Sequence, residues 1–133
     1  MLATLMVALC GTWGCSRLPR TYPAGGQVRF ADGEPLKSGR VEFKSQDHPY
    51  VARGTIDPEG HFQLTTFKEH DGAIAGKHKV IVVGNFAVET KDPDQHAAHV
   101  RSFDRKLSRY ATTWLEVDID PDGNNETLRL EIK

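Results

Sequence analysis

Cysteine is nearly missing from this chain. Its two cysteines, Cys10 and Cys15, both lie close to the N-terminus. The body that follows therefore offers no thiol for nucleophilic catalysis, zinc ligation or a disulfide. Charge of one sign is also lacking: 17 Lys and Arg stand against 18 Asp and Glu, a formal net charge of −1. Such a balance gives no sequence-wide argument for nucleic acid or for an acidic ligand. The apolar run at residues 2–9, even with 10–13 added, is shorter than the roughly 20 residues that cross a bilayer. Convincing amphipathic helical periodicity is absent, apart from a short candidate within residues 96–107. No Ser or Thr stands in a GxSxG elbow, and no His belongs to an HExxH or HxxE motif. Apolar content of 38% is ordinary, so one core is feasible without a metal or disulfide staple.

What the N-terminus does have is a short apolar core ending in Gly14-Cys15. This resembles a bacterial lipoprotein signal, whose usual end is a small residue followed by the modified Cys. The resemblance implies cleavage before Cys15, lipidation of its thiol, and a protein held by a lipid anchor on a membrane of the cell envelope, facing periplasm or exterior. An ordinary cleaved signal and a buried N-terminal helix are the alternatives. Residues 1–14 are read as a signal-peptide helix. Residues 15–22, with Pro19 and two arginines but no apolar rhythm, read as a tether. Residues 23–133 read as one domain.

From residue 26 the pattern has period two. Val28 and Phe30 share one face of a first strand, and Val41 and Phe43 one face of a second. Asp32-Gly33 between them is a turn signal. Residues 50–56 form a third strand, with Tyr50, Ala52, Gly54 and Ile56 on one side. Asp57-Pro58-Glu59-Gly60 has Pro second and Gly last, as a type I turn prefers. Residues 61–67 follow as a fourth strand, with Phe62 and Leu64 inward. Residues 68–75 read as a loop. Residues 76–83 contain four consecutive β-branched residues, which implies a central strand or one covered on both faces. Residues 84–108 are polar and break the rhythm. They read as a solvated crossover or as the place for partner contact. Residues 114–119 and 127–132 resume the alternation, with Leu115, Val117 and Ile119, then Leu128, Leu130 and Ile132, inward. The expected fold class is all-β: seven strands with turns between most of them, a β-sandwich.

Three stretches resemble carboxypeptidase regulatory-like, or transthyretin-like, domains. Residues 26–43 read as strand, Gly33-Glu34-Pro35-Leu36 loop, Gly39 and strand. Gly54-Thr-Ile-Asp-Pro-Glu-Gly-His-Phe62 carries a G-x-x-D-x-x-G-x-F step. Asp71-Gly-Ala-Ile-Ala-Gly-Lys-His-Lys-Val80 follows D-G-A-x-x-G-x-Y-x-V, with His78 at the aromatic place. The resemblance spans residues 22–133 and looks most like small lipoproteins of planctomycete-type bacteria. It implies a seven-stranded, prealbumin-like (Ig-like) sandwich with an accessory or structural role and does not imply catalysis; no cofactor is expected. Gly39, Gly60 and Gly76 would permit tight turns or positive φ, and Asp57 would cap its own turn. Transthyretin-like ureide hydrolases end in Tyr-Arg-Gly-Ser; this chain ends Leu130-Glu-Ile-Lys133.

Metal ligation has two weak candidates. His96 and His99 have i, i+3 spacing, and Asp118, Asp120, Asp122 and Asn124 alternate without the Gly and terminal Glu of an EF-hand loop. His48, His61, His70 and His78 are scattered and read as surface or strand-end residues. No metal site is expected from either. The expected function is a non-catalytic, membrane-tethered envelope module with a structural or adhesive role, its envelope partner unidentified. The alternative is a glycan- or peptide-binding domain that uses loops at one end of the sandwich. Such a site needs an exposed aromatic cluster beside polar loops, for which Phe86, Phe103, Tyr110 and Trp114 are the candidates.

Overall fold

A computed structural model describes residues 17–84 and 101–133. Cys15, the leader, Phe86, His96 and His99 lie outside the described residues, as does most of the 84–108 segment. Among the described residues the fold is all-β, with nine strands and one short 3-10 turn. The strands are β1 (Thr21–Tyr22), β2 (Gly25–Phe30), β3 (Arg40–Ser45), β4 (Val51–Thr55), β5 (His61–Gln63), β6 (Ala73–Ile74), β7 (Gly76–Val83), β8 (Glu116–Ile119) and β9 (Leu128–Ile132). No helix among them is long and apolar enough to cross a membrane.

The strands form three sheets. One has the order β5-β2-β9, with β2 and β9 parallel; one has the order β4-β3-β7-β8; β1 and β6 pair as a short ribbon. A single buried cluster draws on all three: Val28, Phe30, Phe62, Leu130 and Ile132 from the first, Val41, Phe43, Val80, Val82 and Ile119 from the second, Ala73 from the third. The rings of Phe43 and Phe62, from different sheets, meet with centroids 5.9 Å apart.

The turns form as their residues dictate. The Asp57 carboxylate accepts the backbone N–H groups of Glu59 and His61, both at 2.9 Å, and Gly60 closes the turn with φ 83°. Gly39 and Gly76 also have positive φ. Strand β7 is central in its sheet, between β3 and β8, and Ile81 on its outer face is buried as well. Four aliphatic residues in a row are accommodated because both faces are covered.

Some expectations need correction. The fourth strand pairs only over 61–63. Beyond Leu64, whose N–H still reaches Ala24 O, the chain leaves β2, and Thr65 exchanges two backbone hydrogen bonds with Arg53 of β4. The end of the expected tether and the end of the 68–75 loop are not free: Thr21 and Tyr22 pair with Ile74 and Ala73. Two-residue strands are too short to show alternation. Leu115 and Val117 are only partly buried, because β8 is an edge strand that covers just the first half of β7. The second half is covered by the chain before it. Leu115 O accepts from Val80 N–H, Thr113 Oγ1 donates to Val80 O and Ser108 Oγ donates to Val82 O. The described end of the 84–108 segment is thus part of the folded body. Leu107 is fully buried, and Arg101 pairs with Asp32 and Glu34 while its guanidinium lies 4.0 Å over the Phe30 ring.

His78 is no surface or strand-end residue: it is 1% exposed. It faces Phe43 across a centroid distance of 6.3 Å, and its Nδ1 lies 2.9 Å from Gly76 O. The strand's parity places it inward with Val80 and Val82. Burial pushes its pKa below the usual histidine value, outweighing the Gly76 carbonyl and the Asp118 charge. The unfolded chain therefore binds this proton more readily. The stability His78 contributes is fully present above about pH 6.5, its unfolded value, and is lost as pH falls from there through the lower folded value. The urea midpoint is expected to drop between about pH 7.5 and pH 5.5, and less steeply in His78→Phe. Equal slopes in the two proteins would refute this assignment.

Candidate functional site

The three described aromatic candidates stand in different surroundings. Phe103 is packed into the core with Leu107. Trp114 is 46% exposed. Among the described residues no aromatic pair joins it to Tyr110. Phe86 lies outside the described residues. Tyr110 is half-buried on the outer face of β3. Its ring lies 5.2 Å from Lys44 Nζ, and its hydroxyl donates to Glu42 Oε1 at 3.3 Å.

That face holds a buried charge which sequence reading missed. Glu42 is only 8% exposed, yet it points away from the core between Val41 and Phe43. Arg40 Nε lies 3.1 Å from one carboxylate oxygen and Arg53 Nε 3.5 Å from the other. The neighbours follow from register: Arg53 stands opposite Glu42 on β4. Burial, then the negative charge of Glu42 and the hydrogen bond to it, push the Tyr110 phenol up to about 12. The group is a neutral donor across the physiological range, a lock rather than a nucleophile.

Other acidic side chains are engaged by their own backbone. The Asp71 carboxylate accepts the N–H groups of Thr66, Phe67 and Lys68 at 2.8–3.0 Å. Burial alone would raise its pKa, but these donors outweigh it and hold the carboxyl below its usual value. Asp120 Oδ1 accepts from Asp122 N–H, and Asn124 Oδ1 from Glu126 N–H. Asn125, buried, grips both the N–H and the C=O of Asp120. Of the alternating oxygens at 118–124, those of Asp120 and Asn124 are thus arranged as turn staples.

Among the described residues, Asp57, Glu59 and His61 are a trio whose ligand atoms lie within 4.8 Å of one another. All three are exposed, and the distances from His61 Nδ1 are 4.0 Å to Asp57 and 3.6 Å to Glu59. The spacing i, i+2, i+4 around a turn is the sequence signal that would have found it. The trio offers a cation three ligands, although Asp57 Oδ1 already accepts two N–H groups.

Two concave regions adjoin β5. One, of about 360 Å³, has Gly25 and Gly26 in its lining, with Gln63, His70 and Arg129 among its polar neighbours. The other, of about 690 Å³, runs toward Arg40, Arg53 and Thr55. His61, Phe62, Gln63 and His70 belong to both. Gln27, His61 and Arg129 share the face of the three-stranded sheet opposite Val28 and Leu130, because Gln27 pairs with each of the other two. Gly25, opposite Gln63, lies on that face too. No family model, curated protein or solved structure matches the chain.

Proposed function

We propose that this chain is a non-catalytic, membrane-tethered module of the cell envelope with a structural or adhesive role. In this reading it is a seven-stranded, prealbumin-like sandwich of the carboxypeptidase regulatory-like class, lipidated at Cys15. The observation that carries the reading is the use of its acidic residues. Asp57, Asp71, Asp104 and Asp120 each accept backbone N–H groups of their own turns, so they brace a scaffold rather than face a substrate. Seven strands of three or more residues, divided three and four around a common core, support the sandwich.

Mass spectrometry of the protein from its native host is expected to find a diacylglyceryl-modified N-terminus at Cys15. Cys15→Ser is expected to move the protein from the membrane to the soluble fraction, because anchoring rests on buried acyl carbons at about 0.8 kcal/mol per CH₂. A mature protein that begins elsewhere, with Cys15→Ser unchanged in fractionation, would overturn the anchor.

Ligand binding is the second reading, as a glycan or peptide site. The concave surface beside β5 favours it. Trp114 is the exposed aromatic candidate among the described residues.

A further inference from the structure

We propose that the cleft crossing the face of β5 is a binding site for a neutral, hydroxyl-rich saccharide. The proposal rests on the ligand-binding reading and is independent of the lipid anchor. It also moves the site away from the aromatic set and onto the sheet.

The chain builds the hollow in a definite way. The β2–β5 and β2–β9 ladders bring Phe62 O and Leu128 O against the backbone of residues 25 and 26, where a Cβ would collide with them. Glycine is required there for packing, and both residues line a depression over the sheet. Its volume, about 360 Å³, falls in the range of small-ligand sites, roughly 300–1,000 Å³. Around it stand Gln63, His70, Glu126, Thr127 and Arg129. Their side chains make no hydrogen bond or ion pair to another described residue; at His70 and Glu126 it is the backbone N–H that donates, to Thr65 Oγ1 and Asn124 Oδ1.

The composition of the lining selects the ligand class. Across both parts of the cleft, Arg40, Arg53 and Arg129 are balanced by Asp57, Glu69 and Glu126. Arg40 and Arg53 are also already paired with Glu42. No net field selects an ion. The groups instead include planar donors and acceptors, an amide, a guanidinium and a carboxylate, each able to meet two adjacent hydroxyls at once. Sugar hydroxyls both donate and accept, and so suit a mixed rim.

A peptide fits less well. Recognition of an extended peptide uses a free strand edge and pockets for apolar side chains. Strand β5 has neither to offer. One edge is paired with β2, and the other is closed by the Arg53–Thr65 bridge and by the Asp57 N–H to His61 O bond. Phe62, in the lining, is buried.

The test uses the full chain in detergent. It is screened on an array of neutral oligosaccharides built from hexoses and N-acetylhexosamines, with polygalacturonate and unstructured peptides as counter-probes. Any sugar that binds is then titrated against the isotope-labelled protein. The expected result is saturable binding of a neutral oligosaccharide, with shifts centred on the amides of Gly25, Gly26, Gln63 and Leu128. Arg129→Ala and Gln63→Ala, both at exposed positions, are expected to weaken it, the first about tenfold, as loss of a hydrogen bond to a charged group implies. Unchanged melting of both variants separates lost contact from lost fold. Absence of binding to every neutral glycan, binding of polygalacturonate or peptide alone, or shifts centred on Trp114 would each overturn the proposal. The last of these would leave the general ligand-binding reading standing.

Discussion

Alanine at position 62 is expected to remove about 3–5 kcal/mol of stability, the usual cost of deleting a buried phenylalanine ring. Phe62 sits on β5, one of the shortest strands, so little else holds this edge of its sheet. Its ring is 4% exposed and tilted at 49° to Phe43, which belongs to the opposite four-stranded sheet. The cavity would open between the two sheets, where neighbours on both sides are fixed in ladders and cannot collapse inward. Phe43→Ala is expected to cost a similar amount. The double variant should show a coupling of about 0.5–1.5 kcal/mol, since the two rings lose the same contact. Urea unfolding of the three variants measures all of this. A loss below about 1 kcal/mol for Phe62→Ala would mean that the inward face of β5 is wrongly assigned.

Gly26→Ala is expected to cost about 3 kcal/mol or more, at the severe end for a single added methyl. A Cβ at this position meets the backbone of Leu128 directly. Backbone cannot rotate away as a side chain tip can, so β9 must move or leave β2. Gly33→Ala supplies the control: Gly33 has φ 91°, but a Cβ there meets nothing within 4 Å. It is expected to cost about 1–2 kcal/mol, from backbone conformation alone. Hydrogen exchange distinguishes the cases. Gly26→Ala should expose the amides of β9 while β3 and β4 stay protected, and Gly33→Ala should leave β9 unchanged. Equal effects of the two substitutions would refute the close approach.

The residues of the core were legible in the sequence, because alternation with period two is a local signal. Val28 and Phe30, Val41 and Phe43, Val80 and Val82 each declare a face without reference to any partner strand. The turn at 57–60 was legible for the same reason: Asp57, Pro58 and Gly60 satisfy its backbone within four residues. The site was barely legible. A Gly25-Gly26 pair at the start of a strand signals where a chain becomes extended, and says nothing of which backbones press against it. Arg129 is remote in sequence from Gln63 and His70 and reaches them only through the pairing of β2 with both β5 and β9.

What the amino-acid sequence determined by itself is therefore the strand type, the inward faces and most turns, all set by interactions between near neighbours. Tertiary structure alone decided the parallel union of β2 with β9, the passage of the chain from β2 to β4 at Thr65, and the environments of polar residues. His78 and Glu42 show why. Each lies on a strand in an ordinary alternating pattern, and each is buried by what another segment lays over it: Phe43 against the first, Tyr110 and two arginines over the second. Burial of a polar side chain is a property of the packed layers, and so of residues remote in sequence. Hydrophobic alternation specifies which way a side chain points, not what it will meet there.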